Sequence, residues 1–162
     1  MGGVDSWLFA KFDNSINVAT DQNYAYQTLA TNMRGFKQNI RNGNSFAVIN
    51  SELRFPVFRY LINKPLKSDF FNNFQIVGFV DIGTAWTGSN PYSDKNALFT
   101  QIIHQGPITV TINTQREPIV EGYGVGLRTK LLGYFIRADW AWGVEDGIVL
   151  PNVFYFSLGL DF

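Results

Sequence analysis

Residues 152–162, NVFYFSLGLDF, alternate without a break. Phe154, Phe156, Leu158, Leu160 and Phe162 share one parity, and Tyr155, Ser157, Gly159 and Asp161 share the other. Successive side chains of a strand point to opposite faces, so this segment makes a strand with one wholly apolar face and one small or polar face. The apolar face must be covered. In a soluble protein the cover is a second layer made by the same chain. In a transmembrane barrel it is lipid, and the polar parity lines the lumen.

The same pattern recurs upstream. In 45–58, Ala47, Ile49, Leu53 and Phe55 oppose Asn50, Glu52 and Arg54, with Ser51 as the exception. Pro56, which has no backbone donor, ends that strand. In 74–86, Ile76, Val80, Ile82 and Trp86 oppose Gln75, Val77, Phe79, Asp81, Gly83 and Ala85. A hairpin follows, with Leu132-Gly133 as its tight turn. Tyr123, Val125, Leu127, Thr129 and Leu131 oppose Gly124, Gly126, Arg128 and Lys130 on its first arm. Tyr134, Ile136, Ala138, Trp140 and Trp142 oppose Arg137 and Asp139 on its second. Five strands are therefore expected over 45–162. A solvated turn joins them at 59–73, a long connection at 87–118 and a short loop at 143–151. Within 87–118, residues 108–113 also alternate and could extend past a membrane. Residues 1–44 read as a long irregular loop with a turn-rich patch at 39–44.

Charged residues are 16% of the chain and aromatics also 16%, against about 25% charged in ordinary soluble domains. Repeated inward charges opposite apolar faces, with Trp86, Trp140, Trp142 and Phe162 as interface markers, fit a wet lumen inside a lipid-facing wall. Short and long connections alternate as in outer-membrane barrels if Phe162 ends at the periplasmic side, although 59–73 is long for a periplasmic turn. Thirteen basic residues balance thirteen acidic ones, which gives no electrostatic footprint for nucleic acid. Without cysteine there is no disulfide or thiolate site. His104, the single histidine, reads as solvated rather than as a ligand. Gly122, Gly124 and Gly126 are a strand's small inward face, not a phosphate loop. No catalytic residue, metal or cofactor is expected. Five strands cannot close a barrel around such side chains, and open edges do not survive in lipid. The chain is expected to be part of a longer barrel and not to function alone.

Arg34-Gly35-Phe36, Glu52, the Phe79-Val80-Asp81-Ile82-Gly83 strand and the terminal Phe162, in this order, resemble one family. It is the BamA/TamA-type outer-membrane assembly barrels, also called the bacterial surface antigen family. The resemblance implies an all-β, antiparallel, sixteen-stranded transmembrane barrel, of which this chain is the C-terminal part with the long loop that folds into the lumen. It implies that Arg34 reaches Asp81 on the inner wall with Glu52 as a second acidic partner, while Phe36 packs beside Gly83. The last strand, carrying Phe154, Phe156, Leu158, Leu160 and Phe162, would be the seam strand and assembly signal. Implied partners are outer-membrane lipid, the remaining strands of the same barrel, client outer-membrane proteins and periplasmic accessory subunits.

The residue types suit these roles: arginine's rigid fork matches carboxylates, and glycine permits a sharp turn. Strand parity independently puts Glu52 and Asp81 on the polar face. Plain cross-strand ion pairs with Arg54 or Arg128 compete as an explanation of both carboxylates. Two other functions compete with assembly: a barrel that only anchors a fused periplasmic or surface domain, and a soluble β-sandwich binding module.

Overall fold

A computed structural model describes residues 1–2, 31–62 and 67–160. Most of the long loop expected over 1–44 lies outside these residues, as do Asp161 and Phe162. The side chain of His104 is outside them too.

Five long strands form one antiparallel sheet, in the order β1 (Ser45–Phe55), β2 (Gln75–Trp86), β5 (Val120–Leu131), β6 (Tyr134–Glu145) and β8 (Val153–Leu160). Between β1 and β2 run the short helices α1 (Val57–Leu61) and α2 (Asp69–Asn72). Between β2 and β5 a separate hairpin pairs β3 (Thr100–Gln105) with β4 (Ile108–Asn113). A two-residue strand, β7 (Ile148–Val149), pairs with the end of β6. Among the described residues β1 pairs only with β2, and β8 only with β6.

The register joins like parities across the sheet. Asp81 lies opposite Asn50 on β1 and Gly122 on β5, and Gly126 lies opposite Asp139 on β6. One face is therefore continuous: Val77, Phe79, Asp81, Gly83, Ala85, Gly122, Gly126, Asp139, Ala141 and Tyr155 are all buried on it. We call this the inner face. Residues 31–44 lie against it, and Met33, Phe36 and Ile40 join Ala85 and Val120 in a core cluster.

The outer face has no second layer over most of its area among the described residues. Ile49 and Leu53 are 70% and 79% exposed, and Ile76, Val80, Val125, Phe154, Leu158 and Leu160 are exposed too. Aromatic pairs cross its strands, Tyr123 stacked on Trp142 and Trp140 against Phe154. An uncovered apolar face of this extent does not suit a soluble sandwich, whose two sheets bury each other's apolar faces. It suits lipid.

Several expectations need correction. The sheet is longer than its alternation suggested: β5 starts at Val120 and β6 runs to Glu145, so the 143–151 loop shrinks. β3 was not foreseen; its partner β4 is exposed along its whole length. The 59–73 connection is not a plain solvated turn but carries α1, α2 and packed phenylalanine rings.

Candidate functional site

The site grows from one inward carboxylate. Asp81 sits mid-strand on β2 with no exposure, and a charge so placed is costly unless paired and hydrogen-bonded. The loop supplies the partner. The backbone N–H of Arg34 donates to Asp81 Oδ2 at 3.1 Å, Nε to Oδ2 at 2.7 Å, and Nη2 to Oδ1 at 2.5 Å. The remaining arm, Nη1, donates to Glu52 on β1. The guanidinium carbon lies 3.7 Å from the centroid of the Phe79 ring, a cation–π contact. Phe79, the aromatic residue on the inward parity of β2, is thus the floor under Arg34. Burial alone would push the Arg34 guanidinium down; hydrogen bonds and charge from Asp81, then Glu52, outweigh it and raise it.

The charges continue across the wall. Arg54 donates to Glu52 from Nε and Nη2 at 3.0 and 2.8 Å, and Arg128 Nη2 lies 3.7 Å from Glu52. Arg128 also pairs with the buried Asp139 at 2.5 Å, which takes a further bond from Arg137 at 2.7 Å. Asp81 thus pairs with the loop rather than with Arg54 or Arg128. Glu52 serves the loop, its own-strand neighbour Arg54 and, more distantly, Arg128 of β5.

Glycines set how closely the loop approaches. Gly35 has φ +91°, and a Cβ there would come 2.6 Å from the Trp142 carbonyl. Gly122 carries no side chain where the Arg34 carbonyl rests against it. The resemblance implied Phe36 beside Gly83; the closest glycine contacts of its ring are with Gly143 and Gly122. A Cβ on Gly143 would meet the Phe36 ring at 2.5 Å, and one on Gly122 at 3.6 Å. Gly83 faces Val48, Met1 and Met33, which lie in or against the same core cluster as Phe36.

Two anchors were missed in the sequence. The Gly35 N–H donates to the Tyr155 hydroxyl at 3.1 Å, and that hydroxyl donates to the Phe36 carbonyl at 2.7 Å. Tyr155 is on β8 and nearly fully buried, so the last strand holds the motif's backbone directly. Its place on the inward parity was the available signal. The other anchor is Arg41, which is 1% exposed and donates to Glu145 at 2.6 Å and to the Glu117 carbonyl at 2.9 Å. No spacing marked it. Phe154, Leu158 and Leu160 point away from the site, exposed on the outer face, and Phe156 is half-buried there.

Tyr155→Phe is expected to keep the ring packed but strand the Gly35 N–H and the Phe36 carbonyl. An unsatisfied buried polar group costs about 1–3 kcal/mol. Limited proteolysis of the folded protein checks this, with faster cleavage within 31–44 as the expected result.

A family model for the Omp85 superfamily domain matches residues 17–162, which include the loop, the site and every strand. The chain belongs to the Omp85 superfamily. Comparisons with curated proteins and with solved structures found no match. Omp85 proteins reside in the outer membrane and serve protein insertion or transport. That accounts for an apolar outer face opposite a charged inner one. Part of the inner charge network of this Omp85 chain holds the loop, and the rest pairs within the wall. Among the described residues no group of three or more His, Cys, Asp or Glu side chains converges as a metal site.

Proposed function

We propose that this chain, over residues 1–162, is the C-terminal part of a sixteen-stranded BamA/TamA-type barrel in the bacterial outer membrane. Its role is to help insert or translocate other outer-membrane proteins. The observation that carries the reading is the buried contact of Arg34 with Asp81 and Glu52, made by a loop whose next two residues are hydrogen-bonded to β8. A loop fixed this way braces the inner wall next to the last strand. β8 in turn offers backbone donors and acceptors on the edge not bonded to β6, the groups that pair with an incoming strand. In this mechanism Arg34, Gly35, Phe36, Glu52 and Asp81 hold the brace. The outward side chains Phe154, Phe156, Leu158 and Leu160 keep the seam strand in lipid, and Phe162 continues their parity in the sequence. No bond chemistry or cofactor is involved; clients and periplasmic subunits are the partners.

Cysteines at positions 34 and 81 of the full-length protein in detergent are expected to form a disulfide efficiently. A control pair at 34 and 76 should stay reduced, because Ile76 faces outward. Failure of both pairs would mean a loop lying outside the wall and would sink the brace. Assembly and anchoring separate in cells: releasing the loop should lower the yield of other outer-membrane barrels only if the protein inserts them.

A further inference from the structure

The β1–β2 connection folds to the outer side of the sheet. Phe55 closes β1 on the outward parity and stacks on Tyr60 of α1, centroids 5.0 Å apart. Phe74 precedes β2 on the outward parity, and Phe58 of α1 packs against it and against Phe71 of α2. Thr129, outward on β5, is buried beneath α2 and donates to the Phe70 carbonyl at 2.9 Å. The turn therefore does not plug the inner face; it makes a ledge on the apolar one.

We propose that this ledge is a membrane-interface foot that seats in the headgroup–acyl boundary of a phospholipid leaflet. Tyr60, Leu61 and Phe71 are 69%, 73% and 44% exposed, although the rings of Tyr60 and Phe71 pack on Phe55 and Phe58. The exposed surface is continuous with the lipid-facing band through Leu53 and Phe55. Arg59 and Lys67 are exposed on the same connection and can reach lipid phosphates. Aromatic rings with basic flanks are the composition that favours the interface over both water and hydrocarbon. The occupant is phospholipid, because the ledge lies where the lipid-facing strands end and the chain turns back. The inference rests on the outer face being lipid-covered, and not on any part in client insertion.

These 162 residues hold no cysteine; with any cysteine elsewhere in the full-length protein replaced, single spin labels can be placed in it in phospholipid vesicles. Labels at 61 and 71 would be compared with 53, in the lipid-facing band, and with Gln115, exposed in the connection between β4 and β5. Heat-modifiable migration would verify folding of each variant. The expected result is that oxygen accessibility relative to nickel at 61 and 71 is several-fold above that at 115 and approaches that at 53. Values at 61 and 71 equal to 115, with 53 in lipid, would overturn the foot alone. A watery 53 would overturn the lipid-facing reading and the foot together.

Discussion

Asp81→Ala is expected to release the loop from the inner wall. The substitution removes the acceptor of three Arg34 donors and leaves a guanidinium only 4% exposed with Glu52 alone. Breaking a buried ion pair from one side costs about 3–5 kcal/mol, because the orphaned charge remains desolvated. A loop has an escape that a strand lacks: it can lift away and let Arg34 hydrate. The loss should therefore appear first as proteolytic cleavage within 31–44, and only then as a lower melting temperature. Removing both partners leaves no orphan, so Arg34→Ala with Asp81→Ala should cost less than the sum of the single changes. If the single and double variants all match the parent in cleavage rate, the pairing does not hold the loop.

Gly35→Ala should have an effect of similar size by a different route, with every charge retained. An L residue at φ +91° is strained, by roughly 1–2 kcal/mol on the left-handed scale. The new Cβ would also meet the Trp142 carbonyl at 2.6 Å. β6 cannot retreat easily, since it is bonded to β5 on one side and β8 on the other. Overpacking of this kind adds about 1–3 kcal/mol, and losing the Gly35 bond to Tyr155 would add to it. Gly133→Ala is the control: its φ is +85°, but nothing lies within 4 Å of a Cβ there. The expected pattern is a loosened loop for Gly35→Ala and a near-parental one for Gly133→Ala, read by cleavage within 31–44. Near-parental cleavage for both would mean that neither the left-handed backbone at Gly35 nor its close approach to β6 decides the fit.

The sheet was legible because its rule is local. A strand reads its own parity, and a lipid-facing wall demands one apolar side at every crossing, so the strands within 45–58, 74–86, 123–131, 134–142 and 152–162 declare themselves from alternation, short of the full β5 and β6. The same rule put Glu52 and Asp81 inside, and the Arg-Gly-Phe pattern told which loop residues to watch. What alternation could not say was which wall residues the loop would meet. Tyr155 stands 120 residues from Gly35, Arg41 stands 104 from Glu145, and only the strand register brings them together. The Phe36 ring rests against Gly143 on β6, a contact that no single strand's alternation announces. α1 and α2, five and four residues long, are too short to print a helical period, and their aromatic packing on the outer face depends on where β1 and β2 end. The sequence by itself determined which face of each strand is apolar, since that is a property of neighbours in the chain. Only the tertiary structure decided how the loop is held, since that depends on register, close backbone approach and the burial of charges far apart in sequence.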